Sequence, residues 1–459
     1  MLRLITGEDH RCCDGTTRRE FLQVGTLALG GLTLPQILAA RAQATQAGRG
    51  IKDTSIVLLF LTGGPSQIET FDPKMSAPSD FRSVTGEVAT EIPGVTIGGT
   101  FPQLARQAKR MTIVRSFTHA NSDHTGAVQD VMRCGNPAEA GMGAIVARLR
   151  GANHPRTGLP SHVFLSIKEP DPQFDRERMR LAVATGPGLL GGAYGAAEIG
   201  RDPAVMRDME LTLTMARLED RRTLRRALDR MRLNVSIERR LDQFEQQALE
   251  TILGKSKQAF DLSKEDPRLV RRYDTGRFNT ALRVARRYST LGKQMLLARR
   301  LCEAGCGFIT IHNPGWDMHG GPTQFNVPYG MERLGRPLDQ AVSTFLDDVH
   351  NRGLSEKILL IITGEFGRTP KVKADGGRDH WPRLSTLAFA GGGLRMGQVI
   401  GESNARAEEP KSRPVTLDNL LGTVLHAAFD VPTVRTLPNV PRIVANTLDR
   451  AEPIHELFA

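Results

Sequence analysis

Four short segments of the chain combine carboxylate and imidazole side chains with glycine. Residues 63–72, 313–321 and 364–370 each directly follow an apolar run, and residues 376–382 precede the last such run. Ligands of open α/β sheets bind beyond the carboxyl ends of the strands, so these loops are expected to share one polar site. Carboxylate oxygens and imidazole nitrogens suit Zn²⁺, Mn²⁺ or Mg²⁺, and glycine lets the backbone approach a metal closely. Each fragment alone is also typical of an ordinary turn, and it is their combination that predicts a metal site.

Hydroxyl groups near a predicted helix start are candidate nucleophiles. Ser122 and Thr125 lie in residues 118–126, ahead of a helix predicted over residues 127–134. Ser and Thr are good N-caps, which is the purely structural interpretation. A helix N-terminus also favours an oxyanion through its dipole and its free N–H groups, so a nucleophile is the other interpretation. The residues themselves leave both interpretations open.

The elements that must position these loops alternate between strands and helices. A helix is predicted over about residues 337–350, and residues 201–300 read mainly as a helical insertion or cap. Short apolar runs predict strands at residues 55–61, 111–114, 162–167, 307–312, 357–363 and 387–390. Strands that alternate with helices predict an α/β fold whose mainly parallel sheet is covered by helices on both faces.

The first forty-four residues have the three parts of an export signal. Residues 17–23 (TRREFLQ) match the twin-arginine pattern, residues 24–38 form a short apolar run, and residues 42–44 (AQA) form a cleavage site. The apolar run is shorter than the ~20 residues that span a bilayer. We therefore expect the twin-arginine translocase to export the chain as a periplasmic or secreted protein without a stable membrane span. The mature domain would comprise residues 45–459.

The positive charge of the chain does not indicate a nucleic-acid partner. The formal net charge is +11, and residues 201–300 alone hold 24 Lys and Arg against 14 Asp and Glu. There the charges alternate with Leu, Ala and Met at helical spacing, as on a solvated helix face. Aromatic residues make up only 5% of the chain, so no platform for stacking bases is evident. Cys134, Cys302 and Cys306 are expected to be buried thiols.

The order of motifs resembles the bacterial family catalogued as domain of unknown function 1501, over essentially the whole chain. The matching motifs are residues 61–66 (LTGGPS), 70–74 (TFDPK), 315–319 (GWDMH), 364–370 (GEFGRTP) and 379–381 (DHW), after the twin-arginine signal. That family is grouped with the alkaline-phosphatase superfamily of phosphatases, sulfatases and phosphomutases. The resemblance implies an alkaline-phosphatase-like three-layer sandwich with a metal centre at the strand ends. It further implies metal ligands at Asp317, His319, Glu365 and His380.

Two departures from the superfamily pattern stand out. Gly63 and Gly64 occupy the place where a metal-binding Asp usually follows the first strand, and Phe366 replaces a ligand His. No Cys-x-Pro-x-Arg motif occurs, so a formylglycine nucleophile of the sulfatase type is not supported. The nucleophile stays unassigned among Ser66, Ser122 and Thr125.

Two functions compete at this point. The first is an exported metal-dependent hydrolase of phosphate or sulfate esters, in which Arg368 and Arg378 clamp an anionic ester substrate, small or polymeric. The alternative is a non-catalytic exported binding or assembly protein that retains the alkaline-phosphatase-like fold. The Gly63–Gly64 pair favours the alternative, and the retained ligand set favours the enzyme.

Overall fold

The computed structural model of the protein describes residues 50–166, 172–199, 257–282, 286–321 and 324–458. The proposed export signal lies outside these residues, as does much of the proposed helical insertion, residues 201–256. The described part of that insertion contains two short helices and the start of a longer one.

The described residues form twelve strands: β1 Ser55–Leu61, β2 Glu87–Ala89, β3 Thr96–Gly98, β4 Thr112–Val114, β5 His162–Leu165, β6 Ala197–Ile199, β7 Phe308–Asn313, β8 Ile358–Thr363, β9 Gly367–Arg368, β10 His380–Trp381, β11 Leu387–Gly391 and β12 Gln398–Ile400. Eight of them form the central sheet of the described residues, in the order β12-β4-β11-β8-β1-β7-β5-β6. Strands β2 and β3 form a separate two-stranded sheet, and β9 and β10 form another.

Helices and shorter turns connect these strands. The α-helices are α1 Gln67–Thr70, α2 Pro102–Ala105, α3 His124–Arg133, α4 Met142–Arg150, α5 Pro172–Ala184, α6 Lys257–Phe260, α7 Pro267–Tyr273, α8 Leu291–Glu303, α9 Val327–Gly330, α10 Arg336–Asn351, α11 Leu417–Ala428, α12 Val431–Arg435 and α13 Arg442–Arg450. A π-helix, Met331–Gly335, joins α9 to α10. The 3₁₀ turns are Ala108–Arg110, Gly188–Leu190, Gly192–Tyr194, Leu262–Lys264 and His455–Leu457.

Two hydrophobic cores cover the two faces of the sheet. Alternate residues of β1 point to opposite sides, so Val57 and Leu59 pack with α8 and α10, whereas Ile56 and Leu58 pack with α3, α4 and the three C-terminal helices. All seven residues of β1 are buried. A strand that is buried on both faces requires a continuous apolar sequence, and residues 56–61 (IVLLFL) supply one.

The α/β fold class and the mainly parallel sheet with helices on both faces are confirmed. The strand predicted at residues 55–61 has the bounds of β1, and the other predicted strands agree with the structure to within one or two residues. Strand β11 runs antiparallel to both β8 and β4, while the other described pairings of this sheet are parallel. The short apolar run of β11 carries no signal for strand direction.

No helix within the described residues is long and apolar enough to cross a membrane. The expectation of buried thiols is also confirmed, since Cys134, Cys302 and Cys306 are free and buried.

Candidate metal centre

The candidate site lies where the three central parallel strands end. Leu61 of β1 is paired with Asn313 of β7, and Phe60 is paired with Thr363 of β8, so the loops after these strands leave the same edge. The Gly63 N–H donates to Glu365 Oε1 at 2.7 Å, and this hydrogen bond joins the first loop, which follows β1, to the third loop, which follows β8. The second loop follows β7.

Gly63 allows the first and second loops to meet. Its φ is +110°, and a Cβ at this position would lie 2.3 Å from the Asp317 backbone nitrogen. Any larger residue would therefore combine a left-handed backbone with a steric clash. An aspartate at position 63 therefore has no room on this backbone.

Asp317, His319 and His380 come together in the folded chain. Asp317 Oδ1 lies 3.0 Å from His319 Nε2 and 3.3 Å from His380 Nε2. The two Nε2 atoms are 2.8 Å apart. The structure thus brings together three of the four proposed metal ligands, from two loops that are far apart in sequence.

The outer nitrogens of the two imidazoles fix their tautomers. His380 Nδ1 lies 2.8 Å from the Ser122 carbonyl oxygen, which can only accept, so this nitrogen carries the proton. His319 Nδ1 lies 2.8 Å from Asp379 Oδ1, and this carboxylate also contacts Lys373. In their neutral forms both rings therefore direct an Nε2 lone pair into the same space. Two lone pairs at this separation repel unless a proton or a cation lies between them, and backbone or carboxylate contacts of this kind typically orient metal-binding histidines.

Glu365 is connected to Asp317 through His124, which the sequence analysis did not include among the proposed metal ligands. His124 Nδ1 lies 2.8 Å from Glu365 Oε1, and its Nε2 lies 3.4 Å from Asp317 Oδ2. His124, Asp317 and His380 offer donor atoms that all lie within 4.8 Å of one another. Glu365 is 1% exposed, and its Oε2 has no hydrogen-bond partner among the described residues. An orphaned buried carboxylate oxygen beside this donor set fits a bound divalent cation.

The charges of the cluster favour an ionised Asp317. Burial opposes ionisation, but the Arg368 guanidinium and the three histidines hold the Asp317 pKa well below its usual range. Arg368 Nη2 lies 2.5 Å from Asp317 Oδ1. Burial also favours neutral His124, but its hydrogen bonds to Asp317 and Glu365 outweigh this and raise its pKa to about 9. In the metal-free protein His124 is therefore a cation held between two carboxylates.

A second buried carboxyl group, Glu177 of α5, reaches the same edge of the sheet. Its Oε2 accepts hydrogen bonds from Thr62 Oγ1 at 2.9 Å and from the Gly315 N–H at 3.0 Å. The residue is half-buried, but its carboxyl group is enclosed by the first two loops. The Glu177 pKa is raised to about 8, chiefly by burial and also by the charges of Glu365 and Asp317, although the two hydrogen-bond donors lower it in part. Glu177 therefore holds a proton near neutral pH.

The three candidate nucleophiles have different surroundings. The Ser66 side chain is buried and caps α1, where its Oγ accepts from the Glu69 N–H at 3.4 Å. Ser122 and Thr125 are exposed at the start of α3, on either side of Asp123 and His124. The helix begins at His124 with Asp123 as its N-cap, three residues earlier than predicted. The two exposed hydroxyls border the cluster in sequence, and the Ser66 hydroxyl is occupied as a cap.

The two arginines that were proposed as anion clamps are both fully buried. Arg368 contacts Asp317 and donates to the carbonyls of Gly63 and Gly64. Arg378 Nη2 lies 3.1 Å from Glu69 Oε1, and the same guanidinium donates to backbone carbonyls of its own and a neighbouring loop. Arg368 thus touches the cluster as a partner of Asp317, whereas Arg378 braces the loops beside it.

Sequence patterns gave little sign of His124 and Glu177. The only signal for His124 was Asp123, a good N-cap that starts the helix at His124 and so directs the ring toward the strand ends. Glu177 lies between Arg176 and Arg178, in a pattern typical of a solvated helix.

The chain belongs to the family described as "Protein of unknown function (DUF1501)", whose sequence profile matches residues 53–455. This match confirms the resemblance seen in the motifs. No curated protein matches the sequence significantly.

Several solved structures are similar to the chain at low sequence identity. The PsFucS1 sulfatase from Pseudoalteromonas sp. is 12% identical with a TM-score of 0.34, over 91% of this chain and 76% of the other. The lipoteichoic acid synthase LtaP from Listeria monocytogenes is 8% identical with a TM-score of 0.35, over 90% and 84%. The phosphonate monoester hydrolase SpPMH from Silicibacter pomeroyi is 11% identical with a TM-score of 0.35, over 82% and 73%. TM-scores this low do not indicate a shared function, so the function is inferred from the geometry of the site.

Proposed function

We propose that this protein is an exported metal-dependent hydrolase of phosphate or sulfate esters. One observation carries the proposal: two imidazole Nε2 atoms meet at 2.8 Å beside an ionised carboxylate, each with its other nitrogen held by an acceptor. Such a cluster is costly as a purely structural feature, because it gathers charged and lone-pair groups without neutralising all of them. A divalent cation would satisfy them together.

The residues that would hold the cation are Asp317, His380 and His124, with His319 and Glu365 beside them. A bound Zn²⁺, Mn²⁺ or Mg²⁺ supplies a Lewis acid that polarises the non-bridging oxygens of an ester. The mixture of nitrogen and oxygen donors favours Zn²⁺ or Mn²⁺ over Mg²⁺, which prefers oxygen ligands.

Side chains of the protein would orient the metal ligands, hold a proton and supply an attacking oxygen. Arg368 keeps Asp317 ionised, and Ser122 and Asp379 orient the two imidazoles. Hydrolysis breaks the P–O or S–O bond: the oxygen of water ends on phosphorus or sulfur, and one proton goes to the leaving alcohol. Glu177 holds a proton at the same sheet edge at neutral pH. Water provides the attacking oxygen directly, or an exposed hydroxyl of Ser122 or Thr125 attacks first, and water then cleaves the ester that this hydroxyl forms with phosphorus or sulfur.

The second candidate function is that of a non-catalytic metal-binding protein, and the burial of Arg368 and Arg378 favours it. Arg368 and Arg378 are fully buried and already occupied by carboxylates and carbonyls, so neither offers a free guanidinium face to an incoming anion. On this reading the fold would retain the cation for binding or assembly alone.

Export of the protein is the part of the proposal that rests on sequence. The paired Arg18 and Arg19, the apolar run and the cleavage site support it, and all of them precede the first described residue, Gly50. Proteins that use the twin-arginine route are translocated folded, so the metal site would already be formed when the protein is exported.

One experiment separates the two candidate functions. The mature protein is loaded with Zn²⁺, Mn²⁺ or Mg²⁺ and assayed with an aryl phosphate and an aryl sulfate, alongside Asp317→Ala. The matched control is Asp53→Ala, which removes an exposed carboxylate that pairs with Lys357. Activity that Asp317→Ala lowers by orders of magnitude and Asp53→Ala leaves unchanged supports the hydrolase. Stoichiometric metal without turnover of either ester supports the binding protein.

A further inference from the structure

A polar cavity lies on the face of the sheet covered by α10, outside the metal cluster. Its volume is about 620 Å³. Six cationic side chains line it: Arg106, Lys109, Arg110, Arg271, Arg272 and Arg277. Among the described residues that line it, two are carboxylates, Glu91 and Asp347, which leaves a formal excess of four positive charges in this lining. We refer to this cavity as the basic cleft.

Fixed contacts hold half of these cations in place. Asp347 accepts from Arg110 at 2.9 Å and from Arg272 at 2.6 Å, so one carboxylate braces cations from two separate elements. Gln340 Oε1 accepts from Arg277 at 2.8 Å, and the Arg277 guanidinium lies 4.8 Å from the centre of the Phe278 ring. The walls of the cleft are therefore partly preorganised, which lowers the entropic cost of binding a ligand.

The other three cations, Arg106, Lys109 and Arg271, are exposed, and none of them makes an ion pair with a carboxylate among the residues that the structure describes. Like charges that line one cleft repel each other and focus a positive potential within it. Elsewhere many arginines, such as Arg178 and Arg450, contact carboxylates directly. The unpaired charge of this cleft is thus available to an anionic ligand.

The floor of the cleft indicates which kind of anion fits. The lining also holds the amides of Gln103, Gln107 and Gln340 and the hydroxyls of Ser343 and Thr344, but most of their donors already bond to other groups of the protein, so they offer a ligand mainly acceptor oxygens. Acceptor oxygens beside cations suit a ligand that carries both hydroxyl groups and anionic groups, as charged sugars do. Phe278 adjoins the cleft, but the Arg277 guanidinium already stacks on it, so no ring is free to stack a base. A neighbouring cavity of about 670 Å³ shares Gln103 and Arg277 with the cleft, so the two adjoin and leave room for a ligand larger than one sugar.

We propose that the basic cleft binds an anionic glycan, a chain of sugars that carries sulfate or carboxylate groups. Arg106, Lys109 and Arg271 contact the charged groups, and the amide and hydroxyl floor contacts the sugar hydroxyls. This site uses none of the metal-cluster residues, so it stands whether or not the protein hydrolyses esters.

Binding of defined polymers tests the proposal. Dextran sulfate and polygalacturonate represent the sulfate and carboxylate classes, neutral dextran is the uncharged control, and duplex DNA is the non-glycan polyanion. Affinity is measured by calorimetry at low and at physiological salt, because binding through exposed charges weakens with salt. The variant Arg106→Glu/Lys109→Glu/Arg271→Glu is compared with Lys264→Glu/Arg413→Glu/Arg442→Glu, which makes the same change of net charge at exposed sites outside the cleft.

The cleft variant is expected to lose about 30-fold in affinity for one of the two anionic glycans, at roughly two- to fivefold for each exposed charge contact. The control variant should lose less than about threefold, because distant exposed charges are screened. Equal losses in the two variants would overturn the proposal, as would duplex DNA bound as tightly as both glycans. Hydrogen exchange of the unaltered protein gives a second test that needs no variant: the glycan should protect residues 103–110 and 271–277, and protection elsewhere only would contradict the assignment.

Discussion

The carboxyl group of Glu177 should make the metal-free protein less stable as the pH rises. Its pKa is about 8 in the folded chain against an ordinary value of 4.5. A raised carboxyl pKa means that the folded state favours the protonated form, so this stability is fully present below pH 4.5 and is lost progressively up to pH 8. Each pKa unit corresponds to about 1.4 kcal/mol, so the loss reaches about 3 kcal/mol at pH 7 and is near 1 kcal/mol at pH 5.

The substitution Glu177→Gln isolates this effect, because a glutamine keeps an acceptor oxygen for Thr62 and Gly315 but cannot ionise. Urea unfolding followed by circular dichroism, with chelator present, gives the free energy of unfolding at pH 5, 6, 7 and 8. The variant should exceed the parent by about 1 kcal/mol at pH 5 and about 3 kcal/mol at pH 7. The control Asp175→Asn lies on the same helix and removes a surface pair with Arg178, so it should change stability by less than about 1 kcal/mol at each pH.

A stability difference that does not vary with pH would refute this account of Glu177. So would a Glu177→Gln protein that is less stable than the parent at pH 8, because the carboxylate would then be a favourable partner in its ionised form. A saturating divalent cation should shrink the difference, since a positive charge at the cluster favours ionised carboxylates.

Three further predictions follow from other parts of the molecule. Changing Arg18 and Arg19 to Lys should leave precursor in the cytoplasm, and a fractionation blot that shows unchanged delivery would exclude the twin-arginine route. Arg378→Met should lower the free energy of unfolding by about 3–5 kcal/mol, because it leaves a fully buried carboxylate, Glu69, with neutral hydrogen-bond donors but without its cation; a variant with unchanged stability but impaired substrate binding would instead support Arg378 as an anion clamp. Gly63→Ala should lower both stability and metal affinity, because its Cβ would press on the Asp317 backbone; calorimetric metal titration equal to that of the parent would show that the loops adjust freely.

The fold could be predicted because buried parallel strands leave an unambiguous signal. The apolar runs at residues 55–61 and 357–363 are continuous, as is typical of strands in a sheet that is covered by helices on both faces. A glycine follows closely after each run. The direction of β11 could not be predicted, because five small or apolar residues read the same in either orientation. Direction is decided by tertiary pairing, which a single sequence does not contain.

The candidate site was predictable where residues directly follow strands. Asp317 and His319 lie in the loop after β7, at the edge where the parallel strands end, and His380 meets them there from β10, which pairs with β9 in the loop after β8. His124 and Glu177 belong to helices that reach this edge from the side, and their helix-to-sheet packing has no local sequence signature. The roles of the arginines are harder to read from sequence: a cation beside a ligand loop suggests an anion clamp, but in the folded chain Arg368 and Arg378 both contact carboxylates, so their role as clamps stays a prediction.

The central claim is that His124, Asp317 and His380 hold a divalent cation. The most direct measurement is anomalous diffraction at the metal's absorption edge from crystals of the mature protein grown with Zn²⁺ or Mn²⁺. We expect one strong anomalous peak within about 2.0–2.2 Å of donor atoms of these three residues, with Glu365 or His319 completing its coordination. A structure at the same metal concentration whose anomalous peaks all lie elsewhere, with the His319 and His380 rings still in direct contact, would contradict the claim.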